Sequence, residues 1–294
     1  MMSVPRLALL AAFLAALAGC APAPQPAPAE ERIGRIYSYV RSNRDGSEAE
    51  RIHVYRATRT RIEVAKMRRR CTNAALVTAD LDLARGQASR ITGGRLRPNA
   101  GREEFAFLTY DPVARQIDVR VELPDQRLAG SLPIPDEPWH IFDFDLASLT
   151  VTAQFRTDRR ADFSFGLPLI WPPAGPDGWL RYLGRADARF VREEAWQGRR
   201  ALRFEVGGPA FGGNGGPLWF DAAEGHILAA EWGIPNHEEY RDFALRLTGV
   251  EDGGADNWRR LLSAHFEGCE AASGPRSPSR DPGPTSLAGA RAGE

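Results

Sequence analysis

Apolar and polar side chains take turns along this chain. Ile117, Val119, Val121 and Leu123 alternate with Asp118, Arg120 and Glu122, and Leu202, Phe204 and Val206 with Arg203 and Glu205. Phe243, Leu245 and Leu247 alternate with Arg246 and Thr248, and Leu149, Val151, Ala153 and Phe155 with Ser148, Thr150, Thr152 and Gln154. A period of two sends successive side chains to opposite faces, so each segment reads as a strand with one wet and one buried side. Similar alternation covers 76–83, 103–110 and 163–169, and strands are also expected at 34–41, 50–57, 60–67, 187–195 and 226–232. Turn residues separate them, among them "NRDGSE", "GRLRPNAG", "DPVA", "GGPAFGGNGG" and "DAAEG". One segment has a different period: in "ADNWRRLLSAHFEGC", Trp258, Leu261, Leu262 and His265 or Phe266 recur at helical spacing, with Asp256 placed to cap the start and Gly268 the end. The expected fold is mainly β, an antiparallel sheet curled as a half-barrel or paired as a sandwich, with one late helix.

Two stretches interrupt the alternation. Residues 124–147 carry prolines at 124, 133, 135 and 138, and residues 166–184 read "GLPLIWPPAGPDGWLRYLG", with Trp171 and Trp179 among four prolines. Apolar, proline-rich connections over a sheet are expected to cover something, as loops that close a cavity or cap a core. Trp171 and Trp179 are therefore candidate lid or interface residues.

The amino terminus has its own organisation. Arg6 precedes the apolar run "LALLAAFLAALA", too short to cross a bilayer as a helix, which needs about 20 residues. It matches the core of a secretory signal peptide. The run ends in Leu17-Ala18-Gly19-Cys20, which resembles the bacterial lipobox. The resemblance implies that residues 1–19 are cleaved and that Cys20 carries the lipid that attaches the protein to a membrane. Ala21, in place of the aspartate that retains such proteins at the inner membrane, implies the outer membrane with the domain facing the periplasm. Prolines at 22, 24, 26 and 28 make residues 20–32 an extended spacer reaching roughly 35 Å at about 3.1 Å per residue. Residues 33–269 form the expected single β domain, and 270–294, rich in Pro, Gly and Ser, the expected disordered tail.

With Cys20 assigned, Cys71 and Cys269 remain, an even number in an exported protein, and a disulfide between them is expected. Lys plus Arg and Asp plus Glu both number 38, so no net field recruits nucleic acid. Lys66 is the only lysine, within a basic cluster running from Arg59 to Arg70 that reads as a solvated strand end or a phosphate-facing patch. No Gly-x-Ser-x-Gly elbow, zinc spacing or P-loop ending is present, so no cofactor or metal is expected. "PWHIFDFD" offers His140, Asp143 and Asp145, but on a strand His140 would face away from the two carboxylates. Glu103/Glu104 and Glu193/Glu194 are carboxylate pairs of the kind glycoside hydrolysis uses, and surface charge accounts for them as well.

One stretch carries a further likeness. "GPLWFDAAEGHILAAEW" followed by "YRDFALRLTGV" lays a strand with Trp219 and Asp221, a turn at Gly225, a returning strand to Glu231, and another antiparallel strand. This resembles the late hairpins of periplasmic lipoprotein-carrier-like proteins of the LolA/LolB type. The likeness covers roughly 200–250 and implies a half-barrel around a hydrophobic cavity. The inward-facing Phe155, Phe163, Phe165, Phe204, Trp219 and Phe243 would line it, holding a lipid or other hydrophobic ligand without covalent chemistry. A lipoprotein that binds another envelope protein and a lipid-anchored hydrolase are the alternative readings.

Overall fold

The structure, a computed structural model, describes residues 32–175 and 178–269; the expected leader, Cys20, the spacer and the tail lie outside the described residues, as does the side chain of Trp171. The described chain is one fourteen-stranded antiparallel sheet with two short helices. A first meander runs through β1 (Arg35–Ser42), β2 (Glu50–Arg56), β3 (Arg61–Met67), β4 (Ala74–Asp82), β5 (Gln87–Arg97), β6 (Gly101–Asp111), β7 (Gln116–Leu123) and β8 (Gln126–Pro133). After a crossing segment, a second meander runs through β9 (Phe163–Gly175), β10 (Gly178–Trp196), β11 (Arg199–Gly207), β12 (Gly216–Asp221), β13 (Ile227–Trp232) and β14 (Phe243–Asp252). The last strand pairs with the first, Arg35 opposite Asp252, so β1 and β14 lie at the centre and β8 and β9 at the two ends.

Extra residues in one strand of a pair bend and twist it. Register shifts at Ser38/Tyr39, Asp80/Leu81, Gly93/Gly94 and Phe190/Arg192 are distributed along the sheet and curl it. The ends meet without pairing: a Cβ on Gly130 of β8 would lie 3.2 Å from the ring of Trp179 on β10. Trp179 is thus half-buried in a strand, and the proline-rich stretch 166–184 is a long hairpin rather than a loop. Pro168, Pro172 and Pro173 lie on β9, an end strand whose outer edge needs few ladder donors.

The concave side is filled by the chain itself. Residues 134–155 cross the bowl, and α1 (Ala147–Thr152) is buried on every side. The alternating pattern at 148–155 predicts a strand, and the structure corrects it to α1 followed by a 3₁₀ turn at Ala153–Phe155. A buried segment must satisfy its peptide groups. Residues 147–152 pair with no strand, and a helix that bonds to itself wins over the β preference of Thr150, Val151 and Thr152. Two hydroxyls also turn back onto the helix, Thr150 to the carbonyl of Leu146 at 3.2 Å and Thr152 to that of Ser148 at 3.0 Å.

The convex side carries α2 (Gly254–Ala264), the expected late helix. Trp258 and Leu262 pack on Ile36, Tyr55 and Leu76, each buried side chain contributing roughly 1.5–3 kcal/mol. No side chain caps its start: Gly253 occupies that position and Asp256 lies within the first turn, bonded to Arg259. The helix delivers Cys269 to Cys71, and the disulfide closes a span of 198 residues.

Candidate functional site

The crossing segment divides the concave side into two polar environments. One is a charge cluster that fixes the segment to the sheet. Asp145 and Leu146 take left-handed backbone angles, φ 50° and 59°, which turn the Asp145 carboxylate towards β1 and β3. Lys66 Nζ lies 2.7 Å from Asp145 Oδ2, and Arg41 Nε lies 3.5 Å from Oδ1. Asn236, from the β13–β14 connection, donates to Asp145 Oδ1 at 2.9 Å and to the Phe142 carbonyl at 2.8 Å, and it accepts from Arg41. Lys66 also donates to the Asp143 carbonyl at 2.7 Å. Burial pushes the Asp145 carboxyl up, but Lys66 and Arg41 outweigh it and hold the group below its ordinary value. Asp143 has no such pairing through its side chain, and burial lifts it to about 6. Burial beside Lys66 lowers His237 to about 4, so this ring is neutral. Lys66 keeps its charge, because Asp145 and Glu50 overcome the burial penalty. The cluster ties the crossing segment to β1 and β3 through Arg41 and Lys66.

The other environment is a cleft of about 320 Å³ between the turn after β4, the end of the crossing segment and the start of β9. Its apolar lining includes Leu83, Leu149, Ala153, Phe155 and Phe163. Its polar lining includes Arg85, Arg156, His140 and the hydroxyl residues Thr152, Thr157 and Ser164. Arg85 is already paired with Asp82 at 2.7 Å. Arg156 is half-buried, with its guanidinium 3.9 Å from the centre of the Phe163 ring, and donates to the Ala161 carbonyl. Among the described residues no carboxylate lies within ion-pair distance of it; Asp158 and Asp162, the nearest acids acting on it, accept from the backbone amides of Arg160 and Phe190. Burial pulls its pKa down to about 10. His140 is fully buried, with Nδ1 2.8 Å from Ser148 Oγ and Nε2 without a partner. Burial lowers His140 to about 3. Among the described residues no carboxylate is hydrogen-bonded to this ring.

Of the side chains expected to line a cavity, Phe155 and Phe163 line this cleft. Phe165, Phe204 and Phe243 are fully buried among other rings; Phe204 lies edge-on to Phe163 at 5.4 Å, and Phe243 packs on Phe142 at 5.1 Å. Trp219 faces the other way. Leu218 and Phe220 take the concave side, so alternation sends Trp219 to the convex side, where it stacks on Trp196 and donates to Glu194. The residues of "PWHIFDFD" are split by the turn at 142–144, His140 to the cleft and Asp143 and Asp145 towards the charge cluster. Arg41, Asn236 and Arg156 carry no sequence signal. Lys66 had one: a single lysine among arginines.

The carboxylate pairs are occupied by arginines. Glu103 faces Arg97 and Arg95, Glu193 is bound by Arg160 and Arg200, and Glu194 by Arg192. Much of the basic cluster is likewise engaged, Arg61 with Asp80 and Arg68 with Glu48 and Glu239. A larger depression of about 530 Å³ adjoins the cleft at Phe163 and Ser164, but Asp162, Asp187 and Glu205 on its walls are bound to an amide or to arginines. No group of three or more His, Cys, Asp or Glu among the described residues converges as a metal would require, and no described helix is long and apolar enough to cross a membrane.

No protein-family model and no curated protein matches this chain. Among solved structures it is similar to a putative outer membrane lipoprotein-sorting protein domain from Vibrio parahaemolyticus, at 10% identity and a TM-score of 0.24, over 81% of this chain and 95% of that one.

Proposed function

We propose that this is a lipid-anchored envelope protein whose β domain binds a hydrophobic ligand in the cleft between α1 and β9, without covalent chemistry. The observation that carries the reading is the cleft itself. An apolar recess with a few convergent polar groups is the ordinary form of a small-molecule site, and about 320 Å³ falls at the small end of the range for such sites. The concave side behind it is filled by the protein's own segment, so the ligand occupies the margin of the bowl rather than its centre. The anchor rests on Leu17–Cys20, whose lipid would hold the domain at the outer membrane, facing the periplasm.

The test is native mass spectrometry of the exported protein with organic extraction, beside a variant in which the exposed rim residue Ala84 becomes tryptophan to close the cleft mouth. A bound apolar molecule at one per chain, lost in Ala84→Trp while the melting temperature holds, is the expected result. A molecule retained equally by both proteins would place binding elsewhere and sink the reading.

A further inference from the structure

The cleft is lined by one cation whose charge no acid pairs among the described residues. Arg156 is a desolvated cation lying over an aromatic ring, with no acid in ion-pair distance among the described residues. The acids that act on it, Asp158 and Asp162, are held by backbone amides. Arg85, on the same rim, is neutralised by Asp82. His140, which also contributes to the lining, is fully buried and engages Ser148 through Nδ1. Beside Arg156 lies apolar surface from Leu149, Ala153 and Phe155.

From this arrangement we infer that the cleft takes a single-chain amphiphile with an anionic head, the head on Arg156 and the chain along Leu149, Ala153 and Phe155. The inference rests on the cleft-binding reading above and narrows its ligand class. A guanidinium meets carboxylate and phosphate oxygens with charge-assisted bonds, so both heads fit. One chain suits about 320 Å³, where a lipid with two or three chains does not.

The test uses the full chain carrying Cys20→Ser, produced with its disulfide formed, and four probes with chains of similar length: laurate, dodecyl phosphate, 1-decanol and dodecyltrimethylammonium. Calorimetry is expected to show laurate or dodecyl phosphate binding at one per chain, at least about tenfold tighter than decanol or the cation, the size of one hydrogen bond to a charged group. Whichever of the two anions binds more tightly identifies the head. Arg156→Gln is expected to lower anion affinity to that of decanol, and Arg156→Lys to recover most of it. Should Arg156→Gln fail to fold, the order of the four probes on the unsubstituted residue still decides. Decanol binding as tightly as the anions would overturn the anionic head and leave the apolar site standing. Failure of every probe to bind below millimolar concentration would overturn both.

Discussion

At the level of single residues, Asp145 and Asp143 are two places apart in one crossing segment and have opposite consequences. Asp145 is the carboxylate in contact with two buried cations, and removing it takes that contacting charge from both Arg41 and Lys66. Breaking such a pair from one side costs about 3–5 kcal/mol. Asp145→Ala is expected to lose this much in urea denaturation, and the added change Lys66→Met to recover part of it; equal losses in the single and double variants would refute the pairing. Asp143 titrates the other way. Its folded pKa is raised to about 6, so between the unfolded carboxylate value and about 6 the folded state binds more protons. Its contribution is fully present at the acid end and is lost as pH rises through that window, leaving a neutral-pH penalty on the order of 3 kcal/mol. Asp143→Asn is therefore expected to stabilise the protein at pH 7 and to flatten this part of its stability–pH curve. A variant that loses stability at pH 7 would show that the carboxylate is needed there. Neither role is legible in "PWHIFDFD", because both depend on Lys66 and on a left-handed turn that brings distant strands together.

At the level of elements, the crossing segment shows where alternation stops being informative. Residues 148–155 alternate as cleanly as β7, yet one folds as a helix and the other as a strand. The pattern records which side chains are apolar; it does not record that these residues cross the bowl without pairing to a strand. The hairpin of β9 and β10 shows the reverse error, since prolines suggested a loop where an end strand tolerates them. The strands β5 and β8 were obscured in the same way by "GRLRPNAG" and by the prolines around 124–138. The open edge of β9 is protected by the crossing segment, where the Gly166 amide donates to the Pro138 carbonyl at 2.8 Å and the His140 amide to the Gly166 carbonyl at 2.9 Å. This approach requires glycine: a Cβ at 166 would lie 2.5 Å from the Asp136 carbonyl oxygen. Gly166→Ala is expected to push the segment off the edge, costing roughly 1–3 kcal/mol and exposing β9 to pairing with other chains. Light scattering during mild heating, beside a melting curve, checks both parts; an unchanged melting temperature with no added scattering would show that the edge does not depend on this contact.

At the level of the whole molecule, two meanders are joined in three ways: the β1–β14 pairing, the crossing segment, and the disulfide behind α2. The first is the longest-range pairing in the chain, since Arg35 meets Asp252, and it forms only after both meanders have been brought together. Local alternation made the sheet readable but not this closure, because no property of residues 35–42 names β14 as their neighbour. The cysteines did carry a long-range signal, and they are bonded. Their bridge links the turn after β3 to the end of α2, on the same convex side where Trp258 donates to Glu63 of β3 at 2.7 Å. Closing a span of 198 residues restricts the unfolded chain, and the loop-entropy model gives up to about 5 kcal/mol for it. Loss of the bridge should thus lower stability without altering what is buried in the native state. Cys71→Ser with Cys269→Ser is expected to shift the urea midpoint down by a few kcal/mol equivalent, while a single transition persists. If the midpoint does not move, the unfolded ends are already held near each other by residual structure. If the transition splits in two, the bridge is what makes the meanders unfold as one, and its role is cooperativity rather than chain entropy.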